Sequence, residues 1–219
     1  MDRKYAIFDM DGTLVDSMPV WSDVALEYLD SRGIAKEYQT PELLERIKTC
    51  TVPDTAVLFR QWFSINESVD SIVAEVYRIM SQHYRQDIPL KSGVDIYLKR
   101  LSDNGVRMCV ASATTPVLID ACLTRLGVRK YFDFLISCEE VGKSKDHPDV
   151  YIKAAHRLGA PGPQDTAVYE DALCASKTAK DAGFYVVGVY DSCGVREWPQ
   201  LSQLADEAIT DWSATAEQY

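Results

Sequence analysis

Two aspartates one residue apart, Asp9 and Asp11, follow the apolar run Tyr5-Ala6-Ile7-Phe8, and Gly12 comes directly after them. Carboxylates at the end of a buried strand can hold a divalent cation. One of them can attack an electrophile while the other moves a proton. The glycine lets the chain turn sharply. The full segment reads Asp9-Met10-Asp11-Gly12-Thr13-Leu14-Val15-Asp16-Ser17. Taken alone, an Asp-x-Asp-Gly after a strand is more often a turn than a site, so the reading depends on what the other strands deliver.

From residue 92 onward the pattern alternates. It predicts helices over 93–103, 116–126, 149–158 and 172–182, and strands over 106–112, 132–137, 167–170 and 185–190, with a short strand near 208–209. Gly105, Gly127, Gly159 and Gly183 follow the helices as C-terminal stops. Short apolar strands between amphipathic helices mean a parallel sheet covered on both faces. Residues 18–87 show only helical periods. Val20, Trp21, Val24, Ala25, Tyr28 and Leu29 form one stripe, and Val69, Ile72, Val73, Val76 and Met80 form another. Pro41 and Pro53 suit the first turns of two helices between them. The fold expected is α/β, a Rossmann-like parallel-sheet core with an α-helical bundle inserted after the first strand. The core comprises 1–16 and 89–219, and the bundle 17–88.

Ligands of open parallel sheets bind beyond the carboxyl ends of the strands. Asp9, Asp11 and Thr13 follow the first strand; Ser112, Ala113 and Thr114 follow the second. Lys143-Ser144-Lys145-Asp146-His147-Pro148-Asp149 follows the third, and Glu170-Asp171 the fourth. Each loop brings a type that phosphoryl transfer uses: carboxylates for metal and attack, a hydroxyl and N–H groups for phosphate oxygens, an ammonium for charge. Plain alternatives exist singly. Ser112 could be a helix N-cap, the lysines could be solvated, and Glu170-Asp171 could load a helix's first turn. Four accidents at four strand ends are a poorer account than one site.

The bulk numbers agree. A chain of 219 residues with 47% apolar and 26% charged residues has an ordinary globular composition. The net charge of −10 argues against nucleic acid as a partner. No apolar run reaches membrane-spanning length, and no charged segment leads into an apolar one at the N-terminus. A cytoplasmic protein with no membrane partner is therefore expected, monomeric by default. The six irregularly spaced cysteines read as small reduced core residues, and Asn66-Glu67-Ser68 carries no weight as a glycosylation site. His83, His147 and His156 lack metal-ligand spacing.

With these residues in view, the chain resembles the haloacid dehalogenase superfamily, specifically its phosphatase-like members with a helical cap after the first strand. The motifs are Asp9 to Ser17, Ser112, Lys145-Asp146-His147-Pro148-Asp149, and Glu170 through Gly183. The resemblance implies Asp9 as the nucleophile, taking the phosphoryl group as an aspartyl phosphate, and Asp11 as the acid and base. It implies Mg²⁺ on the Asp9 carboxylate, the Asp11 backbone carbonyl, Asp171 and Glu170. Thr13, Ser112, the Ala113 N–H and Lys145 would cradle the phosphate, with Lys143 as the fallback lysine. The cap would close over the site, and its residues Trp21, Lys48 and Thr51 are candidates for substrate contact. Trp21 has core packing, and Lys48 a solvated face, as the plain alternative.

Three departures stand out. Asp146 replaces a proline, which implies a looser lysine loop; Ala172 replaces a serine; Ala175 replaces a glycine. The function expected is Mg²⁺-dependent hydrolysis of a small phosphorylated metabolite, sugar phosphates among the candidates. A sugar phosphomutase is the first alternative. Trp21 and Val52 stand where mutases carry a His and an Arg, and Thr49 where they carry a glycine, which counts against it. A catalytically idle phospho-switch or binding module is the second. Dehalogenation is rejected, because Asp11, Gly12 and Glu170-Asp171 suit phosphate chemistry.

Overall fold

The computed structural model describes residues 3–34, 36–38 and 40–218, apart from the side chains of 37, 44, 45, 48, 49 and 216–218. The chain forms two compact units, Met1–Ser17 with Ile88–Tyr219, and Met18–Asp87.

In the first unit, β1 (Tyr5–Phe8) is followed, beyond the helical unit, by further helices and five more strands. The helical unit holds α1 (Met18–Ser31), α2 (Pro41–Thr49), α3 (Val52–Phe63) and α4 (Val69–Gln86). After it come α5 (Val94–Asp103), β2 (Arg107–Ser112), α6 (Pro116–Arg125), β3 (Phe134–Ser137) and the single turn α7 (Cys138–Val141). Then follow α8 (Asp149–Leu158), β4 (Thr166–Glu170), α9 (Leu173–Asp181), β5 (Tyr185–Val189), α10 (Trp198–Leu204), β6 (Glu207–Ile209) and α11 (Trp212–Gln218).

The six strands are parallel in the order β3-β2-β1-β4-β5-β6. β1 is central, with Phe8 in register with Val110 on one side and Tyr169 on the other. Its Ala6, Ile7 and Phe8 are wholly buried, as a strand covered on both faces must be. One face packs Ile7, Cys109 and Val168 against Val150, Tyr151, Ala154 and Leu158 of α8. On the other, Phe8 stacks on Tyr169 with ring centroids 4.1 Å apart. The order reverses at β1, so its carboxyl end opens at the switch point, where such sheets bind ligands.

The predicted strands and long helices form, with ends moved by a residue or two. The short α7, α10 and α11 lie where no period is long enough to read. One expectation is corrected: Cys109 and Cys122 are buried, but Cys174 and Cys193 are exposed and are not core residues. None of the six is joined in a disulfide.

In the helical unit, Val24, Ala25, Tyr28 and Leu29 of α1 face inward with Ile72, Val76 and Met80 of α4. Tyr28 stacks on Phe59 of α3 at 5.8 Å. No helix among the described residues is long and apolar enough to cross a membrane.

Candidate active site

The turn after β1 is built by its own backbone. Leu14 N–H and Val15 N–H both donate to the Met10 carbonyl, and Gly12 N–H donates to the Val15 carbonyl. Gly12 adopts φ +78°, which a side chain resists. This loop buries Asp9, Thr13 and Ser17 and sends the two carboxylates in different directions.

Asp9 meets the carboxyl end of β4. Ligand oxygens of Asp9, Glu170 and Asp171 lie within 4.8 Å of one another. Lys145, on the loop between α7 and α8, donates to Asp9 and to Glu170 Oε1, the latter at 2.6 Å. Tyr151 of α8 donates to the same Glu170 oxygen at 2.6 Å. Three clustered carboxylates thus have one ammonium among them, in contact with two. Burial lifts the Asp9 carboxyl well above the usual range; Lys145 offsets this only in part, and Glu170, Asp171 and Asp11 push it further up. Asp171 is pushed up to about 7, by burial first and Glu170 next, against the Thr13 hydrogen bond. Burial alone would lower the Lys145 ammonium, but Asp9 and Glu170 outweigh it and hold it above the ordinary lysine value. An excess of buried negative charge built from hard oxygen donors suits a divalent cation such as Mg²⁺.

Asp11 turns to hydroxyls instead. Ser17 donates to its Oδ1 at 2.7 Å, and Thr114 donates to Oδ2 at 2.8 Å. Ser112 reaches the same Oδ2 at 3.5 Å. The Asp11 carboxylate is not in the three-carboxylate group; its expected share in metal binding is through its backbone carbonyl, which makes no demand on this side chain.

Other expected residues fall as follows. Ser112 is buried at the end of β2 and accepts from Thr114 N–H, while Thr115 takes the N-cap position of α6, so Ser112 is no helix cap. Ala113 follows it on the exposed turn. Thr13 is wholly buried and donates to Asp171 Oδ1 at 3.0 Å, so its hydroxyl orients Asp171 rather than facing outward. Lys143 pairs with Asp149 on the surface and takes no part. The looser lysine loop expected from Asp146 is not found: Asp146 accepts from Ser144 and from Cys174 Sγ, each at 3.0 Å, and ties the loop to α9.

In the helical unit Trp21 donates to Tyr84 at 3.1 Å and sits edge-on to Tyr77. Thr51 is the N-cap of α3, accepting from Asp54 N–H at 3.3 Å and donating to its carboxylate at 2.6 Å. The Lys48 side chain lies outside the described residues.

Four residues here have no role in the sequence reading: Ser17, Thr114, Tyr151 and Trp212. The first two sit inside or beside quoted motifs, so their position was a usable signal. Tyr151 reads only as one more apolar position of a helix. Trp212 donates from its indole to the Thr13 carbonyl at 3.2 Å, and no local pattern announces that.

A doubly wound parallel sheet that gathers a paired aspartate, a lysine and an acidic pair at its switch point defines an enzyme core of the phosphoryl-transfer kind. The haloacid dehalogenase-like hydrolase family model matches residues 6–189, and the chain belongs to that family. It is 31% identical over 182 residues to hexitol phosphatase B of Escherichia coli, covering 80% of this chain and 79% of that one. It is 26% identical over 177 residues to the phosphorylated carbohydrates phosphatase of Thermotoga maritima, covering 81% and 80%. Its fold matches the crystal structure of a protein described as a putative beta-phosphoglucomutase from Thermotoga maritima, with TM-score 0.81, 22% identity and coverage of 98% and 97%.

Proposed function

We propose that this hydrolase is a Mg²⁺-dependent phosphatase acting on a small phosphorylated metabolite, with sugar and hexitol phosphates the first candidates. The observation that carries the reading is the junction of Lys145 with Asp9 and Glu170 beside Asp171. The names of the relatives support the substrate class. Asp9, Glu170, Asp171 and the Asp11 carbonyl would hold the Mg²⁺, which would supply positive charge against the oxygens of the ester.

An Asp9 carboxylate oxygen attacks phosphorus, and the bond from phosphorus to the leaving oxygen breaks. Asp11, entering as the acid, gives that oxygen its proton. An aspartyl phosphate now sits on Asp9. Asp11, as carboxylate, takes a proton from water while the water oxygen attacks the same phosphorus. The bond to Asp9 opens, phosphate leaves, and both aspartates return to their starting states. Ser17 and Thr114 hold Asp11 through both halves. Lys145 uses two of its three N–H donors on Asp9 and Glu170 and has one for a phosphate oxygen. Ser112 and the Ala113 N–H complete the phosphate contacts. Choice among esters is assigned to the helical unit, with Trp21 and Lys48 the residues to vary; Thr51 has its hydroxyl engaged in capping.

The test is a panel of phosphorylated metabolites incubated with protein and Mg²⁺, scoring inorganic phosphate. Release from hexose or hexitol phosphates is expected. An isomerised sugar phosphate without net release would make the chain a mutase. No turnover of any ester, with phosphate retained on Asp9, would make it a switch.

A further inference from the structure

We propose that Tyr151 is a positioning residue that holds Glu170 for the divalent cation; the inference rests on the function proposed above, since it takes Asp9, Glu170 and Asp171 as the cation's ligands. Tyr151 is wholly buried, and its hydroxyl lies 2.6 Å from Glu170 Oε1. Its ring is fixed. It meets Phe184 edge-on at 6.1 Å and packs among Ile7, Val150, Ala154 and Val168. A ring so held cannot follow Glu170, so Glu170 is fixed to the ring.

The bond does what a second ammonium could not. Lys145 also donates to Oε1, but it is shared with Asp9 and brings positive charge. A phenol is a neutral donor: it sets the direction of the carboxylate and leaves its charge available to a cation. Both bonds fall on Oε1, so Oε2 takes part in neither. Without the phenol, the longer and freer glutamate chain is held by the shared lysine alone and is drawn toward Asp9.

Tyr151→Phe removes one oxygen and keeps the ring. Calorimetric titration of the purified chain with Mg²⁺ is expected to show affinity lower by about 10-fold. The KM for the phosphate ester at saturating Mg²⁺ is expected to stay within twofold. In a Glu170→Gln background the same change is expected to cost no further affinity. A purely structural tyrosine would lower the melting temperature in EDTA and leave Mg²⁺ affinity alone, and that result overturns the proposal. So does an equal loss in both backgrounds. If Tyr151→Phe does not fold, tyrosine ring ¹³Cζ NMR of the wild type decides: a buried tyrosine resonance moving with Mg²⁺ supports the proposal, and none moving at saturation overturns it. A wild-type chain that binds no divalent cation would sink the proposed function as well; normal binding that Tyr151→Phe leaves unchanged sinks only this inference.

Discussion

Lys145 serves two carboxylates, Asp9 and Glu170, with one charge, and Asp171 lies beside both. Asp9→Asn keeps the shape and removes the proposed nucleophile. Phosphate release is expected to fall by at least about 1000-fold with an unchanged circular dichroism spectrum; near wild-type turnover would remove Asp9 from the mechanism. Asp11→Asn is expected to be comparably severe, because both proton transfers of the proposed mechanism pass through it. Thr114→Val, which deletes one of the hydroxyls on Asp11, is expected to lower kcat by about 10-fold with KM little changed, checked by steady-state kinetics. That Asp9, Lys145, Glu170 and Asp171 meet was legible from the sequence, because their types and their places after strands are local facts. The residues that steer them were not. The hydroxyl of Tyr151 and the indole of Trp212 acquire partners only through packing between distant segments.

Elements were legible where a period ran long enough. β2, β4 and α8 lie within a residue of expectation, whereas one-turn pieces such as α7 carry no period at all. Two element-level contacts invite measurement. Gly93 opens α5 with φ +87°, and a Cβ there would meet the Ser213 backbone nitrogen at 2.5 Å. Gly93→Ala is expected to destabilise by about 2 kcal/mol through left-handed strain and displacement of α11, read as a lower melting temperature. In the helical unit His83 of α4 is clamped between Glu27 of α1 and Asp87. Burial lowers its imidazolium, but Glu27 and Asp87 outweigh burial and raise it above the ordinary value. The stability it gives is complete below about pH 6.5 and is lost as pH rises through the higher folded value. His83→Gln is therefore expected to cost about 1 kcal/mol of stability at about pH 6 and less at about pH 9, read as a larger fall in melting temperature at the lower pH; an equal effect at both would show that the clamp carries no charge.

For the molecule as a whole, the sheet order and the chemistry are linked through β1, which brings Asp9 between the strands ending at Ser112 and Glu170. EDTA is expected to stop turnover and Mg²⁺ to restore it. Mg²⁺ at about 100 times its Kd is expected to raise the melting temperature by about 5–10 °C, since binding to the folded chain alone adds about 2.7 kcal/mol by mass action. The α/β class was legible because alternation is a whole-chain property; the closure of the first loop by Trp212 was not, because it joins opposite ends of the sequence. The central place of β1 also has a consequence for synthesis. Asp9, the proposed nucleophile, leaves the ribosome long before its strand can be flanked: β1 has no neighbour until residues 107–112 emerge and none on the other side until 166–170 do. A nascent chain therefore carries this aspartate in an unfinished site over some 160 residues of synthesis, until Glu170 and Asp171 have emerged.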